Sequence, residues 1–346
     1  MVKSFETISW NVTEEEYRAD SALSYSTLAK YERTGFNGLP TLFDKIESPS
    51  LLLGSAVDSI ITGGESEFNE RFIVCDFPSI PDSIISIVKT LFNKYSDSRR
   101  NINMIDDSII INTTEEVKYQ LNWKPETRAK VIKEKGEEYY NLLALAGNKT
   151  IINTELYSTI QAMVNALRTS DSTKYYFANN NPFENVKRYY QLKFKATLEG
   201  IDYRCMADLI IVDYDNKVIT PVDLKTSFKK EYDFYKSFIE WDYQIQARLY
   251  WQIIRANMDK DDYFKDFKLT DYKFIVVSRD CNPLVWNCPF TQAVGTLRFG
   301  KKEQIEMRHP FDIGKELYYY LSSGDTVPVG INRVEDNDLR IWLNRL

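Results

Sequence analysis

The segment Gly200–Thr226 (GIDYRCMADLIIVDYDNKVITPVDLKT) constrains the fold of this chain most, because its pattern predicts a β-hairpin. The first strand is predicted over Ile201–Val212, which is largely apolar in its second half. The second is predicted over Val218–Leu224, which is rich in β-branched residues, and the DYDNK residues between the strands are typical of a turn. Pro221 cannot donate to a β-ladder, so it indicates an edge strand or a bulge beside a site.

The hairpin carries two carboxylates and a lysine. Side chains alternate across a strand, so Asp223 and Lys225 should leave the same face. Asp208 lies in an otherwise apolar strand, where a charged carboxylate is costly unless it is paired or holds a cation. Carboxylates can hold a hard divalent cation, and a lysine can orient water or stabilise charge during phosphodiester hydrolysis. On the hairpin alone, a structural ion pair between Asp208 and Lys225 is an equally good interpretation.

Two helices are predicted near the N-terminus. Ser21–Arg33 has the pattern of a capped helix start, in which Ser24 or Ser26 can cap. Leu51–Thr62 is apolar or small except for Asp58. A buried helix does not accept a lone carboxylate cheaply, so Asp58 is either a capping or paired residue or a further metal ligand.

A long helix is predicted after the hairpin, over roughly Tyr232–Asn257. Gln246 and Tyr250 share a face because they are four residues apart. Both side chains can hydrogen-bond a phosphate or a sugar, although packing of an amphipathic helix explains the same spacing. The other predicted elements are a helix over Leu156–Ser170, strands over Tyr189–Thr197, Phe274–Ser278 and Pro283–Trp286, and a C-terminal helix over about Thr291–Leu321.

Composition restricts the class of protein. The chain has 346 residues, 43% of them hydrophobic, which supports a sizeable core and argues against disorder. We expect a soluble intracellular protein with reduced cysteines, because no apolar run approaches a membrane span and the cysteines lack C-x-x-C spacing. The net charge of −6 neither indicates nor excludes nucleic-acid binding, since a basic channel can be local. Candidate basic patches are Lys187-Arg188 with Lys193 and Lys195, Lys229-Lys230, and Lys301-Lys302.

Four short motifs occur along the chain in an order that is typical of a known protein family. They are Ser24–Leu28 (SYSTL), Leu53–Asp58 (LGSAVD), the hairpin that ends in Asp223-Leu-Lys225, and Gln246–Tyr250 (QARLY). Together they resemble the PD-(D/E)XK nuclease superfamily. The branch is that of the phage and bacterial recombination exonucleases of the RecE (exonuclease VIII) type, related to lambda exonuclease and the RecB nuclease domain.

The resemblance implies an α/β fold: a restriction-nuclease-like core with a mixed central β-sheet flanked by helices, plus a helical N-terminal lobe. We expect a single enlarged domain over 1–346. Its helical lobe would cover about 1–185, its catalytic sheet and helix about 186–290, and a C-terminal extension about 291–346.

The resemblance also implies a metal-dependent deoxyribonuclease, specifically an exonuclease that resects duplex ends in phage or bacterial recombination or repair. A structure-selective endonuclease and a non-catalytic DNA-binding subunit are the alternatives. The implied partners are DNA, a single-strand annealing protein and further copies of the chain in a homo-oligomer, in the cytoplasm and without a membrane.

The family motifs assign roles to individual residues. The implied metal ligands are Asp208, Asp223, the Leu224 carbonyl and Asp58, which replaces the family's usual histidine. The implied catalytic residues are Asp208, Asp223 and Lys225, and the implied DNA-binding residues are Gln246, Tyr250, Ser24 and Ser26. We expect Mg²⁺, with Mn²⁺ as a substitute. Cys281 and Cys288 alone do not supply an iron–sulphur cluster, so none is predicted.

Overall fold

The computed structural model describes residues 2–44, 49–76, 79–97, 101–180, 183–227, 229–288, 295–299 and 303–324. The chain divides into two compact units, the first comprising Met1–Gly54 and Asn165–Leu346 and the second Ser55–Val164. The first unit is built on a mixed β-sheet flanked by helices, which confirms the predicted fold class. The bounds of the units differ from the segments predicted at 1–185, 186–290 and 291–346, and a single enlarged domain stays a prediction.

The elements are numbered in chain order. The helices are α1 (Glu14–Ala19), α2 (Tyr25–Thr34), α3 (Pro49–Arg71, interrupted at Gly64), α4 (Asp82–Tyr95), α5 (Asp107–Glu116), α6 (Pro125–Ala146), α7 (Thr154–Thr169), α8 (Lys174–Phe177), α9 (Phe234–Glu240), α10 (Tyr243–Met258) and α11 (Pro310–Ser323). Short 3₁₀ helices cover Phe5–Ile8, Phe36–Thr41, Ile102–Met104 and Glu231–Asp233. The strands are β1 (Phe72–Val74), β2 (Thr150–Ile152), β3 (Val186–Leu198), β4 (Ile201–Asp213), β5 (Val218–Ser227), β6 (Lys268–Leu269), β7 (Tyr272–Ser278), β8 (Leu284–Cys288), β9 (Gly295–Phe299) and β10 (Glu303–Met307).

The main sheet of the first unit has the strand order β3-β4-β5-β7-β8, and β6 also pairs with β5. The β3-β4, β4-β5 and β7-β8 pairs are antiparallel, whereas β5 pairs with β6 and β7 in parallel. A parallel pair needs a crossover connection, and α9 and α10 supply it between β5 and β7.

The predicted hairpin forms as β4 and β5. Its turn is held by Asp213, whose carboxylate accepts from the Asn216 N–H at 3.0 Å. Of the two interpretations of Pro221, an edge strand or a bulge beside a site, the edge strand is wrong, because β5 lies between β4 and β7. Pro221 instead falls after Ile219, where pairing with β6 ends, and before Val222, where pairing with β7 begins. Pro221 still pairs with Ile210 of β4, and a proline is tolerated inside this sheet because the opposite side of β5 changes its partner from β6 to β7 there.

The long helix predicted over Tyr232–Asn257 is broken. Trp241 and Asp242 separate α9 from α10, and Asp242 has left-handed backbone angles (φ 53°, ψ 43°). The buried face of α10, which includes Ile245, Leu249 and Ile253, belongs to the main core of the first unit.

The C-terminal helix predicted over Thr291–Leu321 is correct only for its last part. The described residues form the antiparallel pair β9 and β10 and then α11. In GTLRF at 295–299, apolar and polar residues alternate, which favours a strand over a helix. Thr291 and the lysine pair at 301–302 lie outside the described residues.

The second unit is mainly helical. Its core is built by α4, α5 and α6 and includes Ile87, Val88 and Ile132, and the parallel pair β1-β2 adds a short sheet. A Cβ on Gly136 would lie 2.5 Å from Val88 Cγ2, so α6 needs glycine there to approach α4 closely. Within the described ranges, no helix combines the length and the apolar character needed to cross a bilayer.

Candidate active site

The carboxylate of Asp208 lies against the backbone of β5. The Leu224 N–H donates to Asp208 Oδ2 at 2.9 Å. The β4-β5 ladder ends at the pair Leu209 and Val222, so this side-chain bond continues the connection between the strands beyond the last backbone pair. Asp208 is half-buried, and its carboxylate contacts the backbone at Leu224, the residue that follows Asp223.

The sheet is irregular at Asp208. The β3-β4 ladder pairs Tyr190 with Leu209 and Leu192 with Ala207, but skips Gln191 and Asp208. Gln191 has a φ of 53°, which a residue other than glycine rarely adopts. The residues of β4 that belong to the main core include Tyr203, Cys205 and Ala207 before this point, and Ile210 and Val212 after it. The alternation of β4 therefore shifts by one residue at Asp208, as expected of a local distortion beside a site.

Asp223 and Lys225 form a buried ion pair on one face of β5. Lys225 Nζ lies 2.7 Å from Asp223 Oδ2, and the two side chains are 18% and 3% exposed. The ammonium also lies 4.5 Å from the ring centroid of Tyr243 and 5.8 Å from that of Phe274. Burial is the largest single effect and disfavours the charged ammonium, but the combined attraction of Asp223, Tyr243 and Asp208 outweighs it, and the pKa of Lys225 is raised above its ordinary value. Lys225 is therefore a cation at neutral pH.

Gln246 holds the second oxygen of Asp223. Its Nε2 donates to Asp223 Oδ1, and the residue is only 3% exposed. Gln246 Oε1 is buried without a hydrogen-bond partner among the residues that the structure describes. The structure thus brings Gln246 to the carboxylate, and its predicted contact with DNA stays a prediction.

Tyr250 lies one turn further along α10 and is buried. Its ring packs edge-to-face on Tyr272, with 6.2 Å between the centroids. Burial raises the pKa of Tyr250 well above its ordinary value, so the hydroxyl is neutral and can donate. Tyr243 belongs to the same face and was not predicted from the sequence. The spacing Tyr243, Gln246, Tyr250 (i, i+3, i+7) could have identified it.

The start of α2 is fixed close to the site. Ser24 caps the helix by accepting from the Thr27 N–H at 3.4 Å, and its Oγ lies 2.9 Å from that of Ser26. Leu23, just before it, forms a parallel bridge to Tyr203 on β4. The predicted cap is therefore confirmed for Ser24, and the predicted DNA contacts of Ser24 and Ser26 stay predictions.

The glycine of the LGSAVD motif packs on the strand that carries the ion pair. A Cβ on Gly54 would lie 3.1 Å from Oγ1 of Thr226, the residue after Lys225. Asp58 follows on α3 in the second unit, where it is half-buried and its carbonyl accepts from the Thr62 hydroxyl at 2.9 Å. Its role as a metal ligand stays a prediction.

The predicted basic patches contain paired side chains. Lys195 pairs with Asp20 at 2.8 Å, and Lys193 donates to the Val12 carbonyl at 2.9 Å. Lys229 pairs with Glu240 at 2.5 Å. These lysines therefore agree with the interpretation as an ordinary charged surface.

The donor set is compatible with a hard divalent cation. Asp208 and Asp223 carry carboxylate oxygens, and Leu224, the residue after Asp223, carries a backbone carbonyl. The described residues contain no group of three or more His, Cys, Asp or Glu side chains arranged to hold a metal. Mg²⁺ is commonly held by one or two carboxylates with water and substrate phosphate, so these donors fit Mg²⁺ better than a metal needing a full protein cage.

Comparisons with known proteins add little information about function to this geometry. No protein-family model and no curated protein matches the chain. Among solved structures it is similar to a protein of Eubacterium rectale that is provisionally named an exonuclease, with 14% sequence identity and a TM-score of 0.40. The similarity covers 96% of this chain and 93% of that chain. At this TM-score the likeness carries no functional argument.

Proposed function

We propose that this chain is a divalent-metal-dependent deoxyribonuclease of the PD-(D/E)XK type. The observation that supports it best is the convergence of Asp208, Asp223 and Lys225 on adjoining strands of one sheet. The carboxylates lie where the ladder between the strands ends, and a lysine that is charged at neutral pH lies beside one of them. This combination suits hydrolysis of a phosphodiester better than a purely structural role, which needs only one carboxylate for the lysine.

Each residue has a distinct role in the proposal. Asp208 and Asp223, with the Leu224 carbonyl, would hold Mg²⁺ or Mn²⁺, which supplies Lewis-acid stabilisation of the phosphate and lowers the pKa of bound water. Lys225 donates to a phosphate oxygen or orients the attacking water, and its positive charge offsets the negative charge that develops on the phosphate. Gln246 fixes the rotamer of Asp223 through the bond to Oδ1.

The finer assignment is an exonuclease that resects duplex ends in recombination or repair. Its support is the order of the four sequence motifs, three of which meet in the first unit: Ser24 at the start of α2, the hairpin β4-β5, and Gln246 on α10. A structure-selective endonuclease uses the same chemistry and is separated from an exonuclease by its substrate.

A cleavage assay tests the proposal. End-labelled linear duplex and closed circular DNA would be incubated with the protein in Mg²⁺ or in EDTA. We expect Mg²⁺-dependent loss of the linear duplex with the circle intact. Asp208→Ala and Asp223→Asn should abolish cleavage. Asp215→Asn is a matched control, because Asp215 begins another D-x-K triplet but is exposed in the β4-β5 turn.

Three outcomes would contradict parts of the proposal. Cleavage in EDTA would exclude metal dependence, and cleavage of the circle would favour the endonuclease. Absence of cleavage, together with no binding of Mg²⁺ or Mn²⁺ in a calorimetric titration, would favour the non-catalytic DNA-binding subunit.

A further inference from the structure

Trp241 is an exposed aromatic residue on a fixed backbone. It lies between α9 and α10 and is 44% exposed. Its carbonyl accepts from the Tyr25 hydroxyl at 2.5 Å and from Arg33 Nη1 at 3.3 Å. The next residue, Asp242, has left-handed backbone angles that turn the chain into α10. The backbone of Trp241 is thus held by two donors from α2 while its side chain stays accessible.

A cation lies over the indole. The guanidinium carbon of Arg33 is 5.3 Å from the ring centroid of Trp241, and its Nη1 lies 3.4 Å from Asp242 Oδ2. The Arg33 side chain is 31% exposed. The indole and the partly exposed guanidinium therefore form a combined surface of an aromatic ring and a cation whose charge Asp242 offsets in part. An aromatic ring beside a cation is the combination that binds the bases and backbone of a single strand.

This surface adjoins the candidate active site. Trp241 lies two residues before Tyr243, whose ring centroid is 4.5 Å from Lys225 Nζ. The Tyr25 ring, which helps to anchor Trp241, also packs on Tyr243 with 6.2 Å between the centroids. A strand with a phosphate beside Lys225 would therefore place a neighbouring nucleotide near Trp241.

We propose that Trp241, backed by Arg33, stacks on an unpaired base of the DNA strand that enters the site. In an intact duplex both faces of an internal base are already stacked on its neighbours, so the indole selects single-stranded DNA or a frayed end. The inference rests on the proposed function for its choice of DNA. It adds a residue that determines which form of DNA is bound.

The test is a binding measurement in EDTA, so that it does not depend on cleavage. Fluorescence anisotropy would give the Kd for a labelled single-stranded oligothymidylate and for a blunt, G·C-rich duplex of two strands of equal length, which has no unpaired loop and little fraying. Trp241→Ala should weaken binding of the single strand about tenfold and leave duplex binding nearly unchanged. Trp241→Phe should retain most of the affinity, and Trp241→Leu should behave like the alanine variant because leucine has no π-face.

The chain offers a matched control. Trp123, in the second unit, is 38% exposed, and Trp123→Ala should bind the single strand as the wild type does. The variants should fold, because the bonds from Tyr25 and Arg33 go to the backbone of Trp241 rather than to its side chain. Melting curves would check this.

Two results would overturn the inference. One is a Trp241→Ala variant that binds the single strand as tightly as Trp123→Ala does, and the other is a Trp241→Leu variant with wild-type affinity. Asp208→Ala separates this inference from the proposed function, because it should lose cleavage and keep single-strand binding. Wild-type protein that binds single strands through Trp241 but never cleaves DNA would refute the nuclease proposal alone.

Discussion

Substitutions of Asp223 and Lys225 should have strongly coupled effects on the free energy of unfolding, because the two side chains form a buried ion pair. Lys225→Met removes the cation and leaves Asp223, which is 3% exposed, with Gln246 as its remaining side-chain donor in the described part of the chain. Breaking a buried pair by removing one partner costs about 3 kcal/mol of unfolding free energy, because the other charge stays buried without compensation. Asp223→Asn should cost a similar amount. The double variant removes both charges, so it should lose about 2 kcal/mol less than the sum of the single variants.

Urea unfolding in EDTA, followed by circular dichroism, would give the four free energies of this double-mutant cycle. The matched control is the same cycle on Lys229 and Glu240, whose nitrogen and oxygen lie 2.5 Å apart but whose side chains are 43% and 50% exposed. The coupling of that pair should be below about 1 kcal/mol, because solvent screens exposed charges.

The coupling should not change between pH 6 and pH 9. A pKa that is raised on folding contributes stability that is fully present below the unfolded pKa of the group. The contribution is lost only as the pH rises through the folded pKa. For Lys225 the ordinary pKa is 10.5 and the folded one is higher, so the window of loss lies above that range. Single-variant effects that add within about 0.5 kcal/mol would refute the coupling.

Four further predictions concern single residues. Gln246→Leu should lower the unfolding free energy by about 1–2 kcal/mol and slow cleavage, because Asp223 loses a hydrogen-bond donor. Unchanged cleavage would show that Gln246 serves packing alone. Tyr250→Phe should weaken DNA binding and spare Mg²⁺ affinity by calorimetry, and unchanged DNA affinity would assign its hydroxyl to packing alone. Asp58→Asn should strongly lower Mg²⁺ affinity and the cleavage rate. Asp58→His should keep partial activity and shift the metal preference toward Mn²⁺. A lower melting temperature with unchanged metal titrations would show that Asp58 only pairs locally. Burial lowers the pKa of His309 below its ordinary 6.5, and this imidazole caps α11. Its stabilising contribution is present above 6.5 and lost as the pH falls below it, so the fall in Tm from pH 7.5 to 5.5 should be smaller in His309→Asn.

The parts of the fold that follow from local patterns could be predicted from the sequence. The hairpin β4-β5 has β-branched strands and a turn that is closed by its own Asp213, so its signal lies within a few residues. The cap at Ser24 is local in the same way. The face of α10 could be identified in part because the period of a helix places Gln246 and Tyr250 together.

Other parts depend on contacts between distant segments. The break before α10 requires left-handed angles at Asp242, a residue whose type permits but does not demand them. The bonds from Tyr25 and Arg33 that fix this break come from α2, more than two hundred residues away in the chain. The bond from Gln246 to Asp223 likewise depends on how α10 packs on the sheet. No pattern of neighbouring residues in the sequence predicts these contacts.

The position of Asp208 shows why the candidate site is where it is. In a regular ladder the backbone N–H groups of a central strand are taken by its neighbours, so a carboxylate in the strand would find no donor. Here the ladder with β3 skips Gln191 and Asp208, and the ladder with β5 ends before Leu224, whose N–H then donates to the carboxylate. The sequence identified Asp208 as a charge that needs a partner but not the irregularity that provides one. A charged side chain is stable at this point because the sheet stops being regular, and the same irregularity brings the carboxylate to the N–H of Leu224, the residue after Asp223.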